Sequence, residues 1–101
     1  MESLTGDTFD AKTGEGLSVV DFWAPWCGPC RALTPVLEQL DTETEGVGFF
    51  KVNTDEENDL AVKFNIMSIP AVFILKDGEI VDQFIGVKQK DEIAQLVAKH
   101  V

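Results

Sequence analysis

The apolar run Leu17 to Trp23 is separated by only three residues from Cys27-Gly28-Pro29-Cys30, after which Leu33, Val36, Leu37 and Leu40 fall at i, i+3, i+4 and i+7. The run is short and rich in β-branched and aromatic residues, so it reads as a buried strand. The four spaced apolar residues make a single helical stripe. The only two cysteines of the chain therefore sit where a strand turns into a helix. With Cys27 at the N-terminal edge of that helix and Cys30 in its first turn, helix geometry puts their Cα atoms roughly 5 Å apart. A disulfide spans that distance without moving the backbone.

The strand-then-helix order continues downstream. Val47-Gly48-Phe49-Phe50-Lys51-Val52 reads as a second buried strand, and a helix joining two such strands makes a parallel pair with a right-handed crossover. Asn58 is placed to cap a short helix carrying Leu60 and Phe64 and ending near Asn65. Ala71 to Lys76 and Glu79 to Ile85 are strand-like runs divided by Asp77-Gly78, a strong signal for a two-residue hairpin. Ile93, Leu96, Val97 and Val101 form a last helical stripe, with Asp91 and Glu92 near its start, where the helix dipole favours acids. The expected fold is α/β: one domain over residues 1–101, with a central mixed sheet of four to five strands flanked by helices on both faces.

Composition narrows the partners. A domain of 101 residues buries roughly 60–70% of its unfolded surface, so the cysteines are not needed as a staple. No apolar run approaches the roughly 18–20 residues of a membrane span. Eighteen acidic residues against eight basic ones give a net charge of −10, which argues against nucleic acid and anionic membranes. The acid excess serves solubility or selects basic partner surfaces. Met1-Glu2-Ser3-Leu4-Thr5 has neither a basic n-region nor an apolar h-region, so no signal peptide is visible; the expected location is cytoplasmic.

A thiol that attacks near neutral pH must be a thiolate, and the unpaired N–H groups and positive dipole at a helix start favour one. Cys27 has that position. Cys30, one turn further in, suits the resolving role, attacking the mixed disulfide once Cys27 has engaged a substrate. Gly28 leaves the approach to Cys27 open, and Pro29 near the helix start costs no intrahelical hydrogen bond. Pro35, in the helix interior, should kink it. Metal binding is not expected. There is no second cysteine pair, His100 is the sole histidine, and the acidic run Asp55 to Asp59 lacks the Gly and distal Glu of a calcium loop. Three residues have ordinary readings on local sequence: Asp21 as a strand-end acid bonded to backbone, Lys51 as an edge or surface lysine, and Pro70 as a strand opener that cannot donate to a ladder.

Phe22-Trp23-Ala24-Pro25-Trp26-Cys27-Gly28-Pro29-Cys30 resembles the active-site segment of the thioredoxin family. The likeness runs through Asp21, Pro35, Lys51, Ile69-Pro70, Asp77-Gly78 and Gly86 in family order. It implies the thioredoxin fold, reduction of protein disulfides without a bound cofactor, and a monomer kept reduced by thioredoxin reductase or an equivalent donor. It also reassigns the three ordinary residues. Asp21 becomes a buried acid below the cysteines that relays the Cys30 proton, with Lys51 as its partner. Pro70 becomes a cis-proline facing the cysteines, with Ile69 offering backbone groups to an extended substrate. Trp26, Ile69, Gly86 and Val87 would then rim an apolar docking surface. Arg31, Asn65 and Ala71 depart from the residues usual at their positions, which bears on partner preference, and the short N-terminus is expected to shorten or remove the first strand. The alternative reading is a thioredoxin-like interaction module without turnover, although a scaffold needs neither the cysteine pair nor Pro70.

Overall fold

The computed structural model describes residues 1–101. Its elements are β1 (Glu2–Ser3), α1 (Phe9–Thr13), β2 (Leu17–Trp23), α2 (Gly28–Glu43), β3 (Val47–Asn53), α3 (Asn58–Lys63), β4 (Ala71–Lys76), β5 (Glu79–Ile85) and α4 (Lys90–Ala98). The five strands form one sheet in the order β1-β3-β2-β4-β5. β1, β3 and β2 run parallel, while β4 and β5 are antiparallel to their neighbours. The sheet is therefore mixed, as the alternation of apolar periods implied.

β2 lies at the centre, and its period of two divides the interior. Leu17 and Val19 point to one face, where they join Phe49, Val72, Ile74 and Phe84 beneath Leu33, Leu37 and Leu40 of α2 and Ile93 and Val97 of α4. Val20 and Phe22 point to the other face, packing with Val52, Ala71, Phe73 and Leu75 under Phe9 of α1 and Leu60 of α3. On this second side Phe22, Phe64 and Phe73 form an aromatic group with ring centroids 5.2 to 5.5 Å apart, Phe64 tilted against both others and Phe22 edge-on to Phe73.

Local signals account for most boundaries. At the β4–β5 hairpin, Asp77 and Gly78 both take positive φ, 51° and 86°, as a tight turn of this kind requires. The Asp77 carboxylate accepts the Gly16 N–H at 2.8 Å, and the Asp77 N–H donates to the Gly16 carbonyl at 2.9 Å, which ties the hairpin to the start of β2. α4 begins with a capping box between Gln89 and Glu92. Its end is held by His100, whose Nε2 lies 3.1 Å from Asp82 Oδ2 and whose carbonyl accepts Lys76 Nζ at 3.3 Å. The bond from His100, followed by that from the Gln83 N–H, holds the Asp82 carboxyl below its ordinary range.

Two expectations need adjustment. The N-cap of α3 is Glu57, and Asn58 is the first helical residue. Val101 lies beyond α4 and is exposed, so it takes no part in the helical stripe. The first strand is shortened but present, pairing Glu2 with Phe50 and Ser3 with Lys51. α1 was not anticipated: a five-residue helix that buries only Phe9 and Thr13 is too short to show a period. Pro35 lies within a continuous α2 and has no N–H to give the Arg31 carbonyl.

Phe22 has no exposed surface and touches both Phe64 and Phe73. Phe22→Ala is expected to reduce stability by about 3–5 kcal/mol, through lost burial and the cavity left between the strands and α3. Denaturant melts of both proteins measure it.

Candidate active site

Three residues carry the chain from β2 to Cys27, which places the dithiol at the end of the sheet. Cys27 is the N-cap of α2, with extended backbone, and its Sγ accepts the Cys30 N–H at 3.2 Å. Its own N–H donates to the Ala24 carbonyl at 3.1 Å, fixing the turn. Cys27 and Cys30 are disulfide-bonded, with Cα atoms 5.3 Å apart, in keeping with the distance that helix geometry implied. The sulfur-bearing residues differ in access: Cys27 is 5% exposed and Cys30 is fully buried. A helix start of this kind supplies N–H groups and positive potential to stabilise a thiolate at Cys27.

Around the pair lie the residues that sequence reasoning singled out. Pro29 stands in the first turn of α2, and a Cβ added at Gly28 would meet no atom within 4 Å, so the ground beside Cys27 is open. The Ile69-Pro70 peptide bond is cis, and the Ile69 carbonyl oxygen lies 3.8 Å from Cys27 Sγ. Gly86, at φ 90°, donates its N–H to the Pro70 carbonyl at 2.8 Å, which brings the end of β5 against the cis-proline. Exposed Val87 follows it, and Trp26 stands 69% exposed on the other side.

Asp21 is placed by register and alternation. It shares a face with Leu17 and Val19, the face that α2 covers, and its lateral neighbours are Lys51 on β3 and Val72 on β4. Its carboxylate is fully buried, and neither oxygen has a hydrogen-bond partner in the protein. Burial without partners disfavours the charged form. Desolvation therefore raises the Asp21 pKa to about 7, against a smaller opposing pull from Lys51. The two are not a contact ion pair. Lys51 instead extends its ammonium over the Trp23 ring, 5.2 Å from the centroid, a cation–π arrangement on the same sheet face.

One contact was missed. Trp26 Nε1 donates to Asp55 at 3.0 Å across 29 residues of chain. Asp55 is oriented by its own N–H, which donates to Asn53 Oδ1 at 2.9 Å, and the preceding Thr54 N–H and hydroxyl both bond to the Trp23 carbonyl. The only sequence signal was Asn53 two residues before Asp55, a pattern that favours such local turns. No group of three or more His, Cys, Asp or Glu side chains could hold a metal ion.

A closed pair of cysteines at a helix start, with a cis-proline opposite and a buried acid beneath the helix, defines a dithiol–disulfide exchanger. The chain belongs to the thioredoxin family, whose family model matches residues 1–99. It is 46% identical over 98 residues to a thioredoxin of Bacillus subtilis, covering 96% of this chain and 94% of that protein. It is 42% identical over 102 residues to a thioredoxin of Listeria monocytogenes, covering 100% and 99%. Among solved structures, the thioredoxin of Plasmodium falciparum superposes with a TM-score of 0.92 at 32% identity, each chain fully covered. The protein is a thiol-disulfide oxidoreductase, a protein-disulfide reductase of the thioredoxin type. Membership of the family implies disulfide substrates and thioredoxin reductase as its partners. No helix is long and apolar enough to cross a membrane.

The environment of Asp21 sets a pH dependence. A folded pKa raised from 3.8 to about 7 means that the folded state holds this proton longer than the unfolded one. The stability this contributes is complete below the unfolded value and is lost as pH rises through the folded one. Asp21→Asn removes the ionisation, while its amide inherits the same partnerless surroundings at every pH. The variant should therefore gain on wild type between pH 4 and pH 8 by on the order of 3–4 kcal/mol, since a tenfold change in proton affinity is worth roughly 1.36 kcal/mol. Denaturant melts at the two pH values test this, and equal differences at both would show that Asp21 does not ionise in this range.

Proposed function

We propose that Cys27 is the attacking thiol and Cys30 the resolving one in reduction of protein disulfides. The observation that carries this reading is the asymmetry at the start of α2, where the N-cap Cys27 keeps a small exposed surface, 5%, while Cys30, in the first turn, has none. The Cys27 thiolate attacks one sulfur of a substrate disulfide, forming a mixed disulfide and releasing the other substrate sulfur as a thiolate. Cys30 then attacks Cys27 Sγ. The Cys27–Cys30 bond forms, the mixed disulfide breaks, and the second substrate sulfur leaves; two electrons pass from the dithiol to the substrate.

Cys30 must lose its proton for the second step. Asp21 receives it, because a carboxyl raised to about 7 can hold or yield a proton at working pH. Lys51, as its lateral neighbour, moderates that rise. Ile69 and Pro70 dock an extended substrate segment by backbone pairing, within the apolar rim of Trp26, Gly86 and Val87. Gly28 and Pro29 leave this approach clear. We place the protein as a monomer in the cytoplasm, where reducing chemistry is maintained, with neither nucleic acid nor membrane as partner; a net charge of −10 supports the last point.

Cys30→Ser should accumulate mixed disulfides with protein substrates, and Cys27→Ser should not. Mapping of iodoacetamide adducts on the reduced protein near neutral pH should find the label on Cys27. Preferential labelling of Cys30 would overturn the assignment.

A further inference from the structure

The sheet face beneath α3 is covered unevenly. Cross-strand partners share a face, so Ala71 and Phe73 on β4 bring Ile85 and Gln83 of β5 to the same side. α3 is six residues long, and while Ala71 and Phe73 are buried, Ile85 is left 65% exposed. Between the strands and the segment after α3 lies an open groove of about 420 Å³, with Ala71 and Phe73 at its base and Phe64, Ile66, Met67 and Ile85 around it. No charged residue lines it, although 26% of the chain is charged and the net charge is −10.

The groove adjoins the exchange site. Met67, which stands 83% exposed at its edge, comes two residues before Ile69, whose carbonyl lies 3.8 Å from Cys27 Sγ. A strand advances about 3.3 Å per residue, so the groove is within a few residues' reach of a partner cysteine held against Cys27.

We propose that this groove is a specificity subsite for protein disulfides, taking one bulky apolar side chain that lies close in sequence to the cysteine attacked by Cys27. The inference rests on Ile69-Pro70 being the segment that docks the substrate. Continuity with that segment makes the disulfide partner the occupant. The uncharged lining fixes its chemistry: a Phe or Leu gains by burial, whereas an acid would lose its hydration with no cation to receive it. Met67 suits the task, since an unbranched thioether adapts to apolar groups of different shape.

The test uses the reduced full-length protein and short peptides whose single cysteine is disulfide-linked to thionitrobenzoate, with release of the chromophore followed in single turnovers. One series carries Phe two, three or four residues from the cysteine, and the other carries Asp at the same places. At one position the Phe peptide should react about tenfold faster than its Asp counterpart, the effect expected of burying one such side chain. Ile85→Lys should abolish that advantage, and Val81→Lys, on the same strand outside the groove, should leave it. A Phe advantage at no position, or one that survives Ile85→Lys while Pro70→Ala slows both series, overturns the subsite alone. Equal rates for Pro70→Ala and wild type overturn the docking assignment, and the subsite with it. An advantage that varies with protein concentration, accompanied by dimers on gel filtration that Ile85→Lys dissolves, assigns the groove to a second copy instead and overturns the proposal.

Discussion

The structure depends on the central position of β2, which is hydrogen-bonded on both sides and buried on both faces. Its pairing with β3 on one flank and β4 on the other fixes the register of the whole sheet, and its alternating side chains seed both cores. The strand leaves the next segment almost no freedom. Four residues after Trp23 the chain must cap α2 above the face that Leu17 and Val19 share, so the dithiol is carried to the sheet end by the strand that also holds Asp21.

The same alternation explains how a carboxyl comes to be buried without a hydrogen-bond partner. Leu17, Val19 and Asp21 occupy equivalent positions on one face, two of them packed into the α2 side of the core. An apolar residue at the third would extend that core, whereas the acid there is buried with no hydrogen-bond partner for either oxygen. Lys51 is its register neighbour, but the lysine turns toward Trp23 and leaves the carboxyl without a contact ion pair. A tight pair would pin Asp21 in its charged form. At a distance, the lysine leaves it able to change state near neutral pH.

Strand boundaries were legible where the period is strong. β2, β4 and β5 coincide with the apolar runs Leu17 to Trp23, Ala71 to Lys76 and Glu79 to Ile85, and Asp77-Gly78 marked the hairpin between the last two. The cysteine pair could be read from spacing alone, because both members lie within one turn of one helix. Asp21 and Lys51 could not, since their adjacency is a register between strands thirty positions apart, and only the family resemblance brought them together. The Trp26–Asp55 bond and the groove beside Met67 were invisible for the same reason. Each is assembled from segments that meet only after the sheet has formed. At the termini the difficulty was length: two residues of β1 and five of α1 carry too few apolar positions to repeat.

Pro35 and Thr34 together have a mechanical consequence. Pro35 offers no N–H to the Arg31 carbonyl, and the Thr34 hydroxyl donates to the Cys30 carbonyl at 3.0 Å, competing for an acceptor of the helical ladder. The ladder is weakened at two successive rungs, just beyond the turn that carries the cysteines. Beyond them, Leu37 and Leu40 clamp the rest of α2 to the sheet. The turn that carries the cysteines is thus joined to the rest of α2 by fewer unshared backbone bonds than link the later turns.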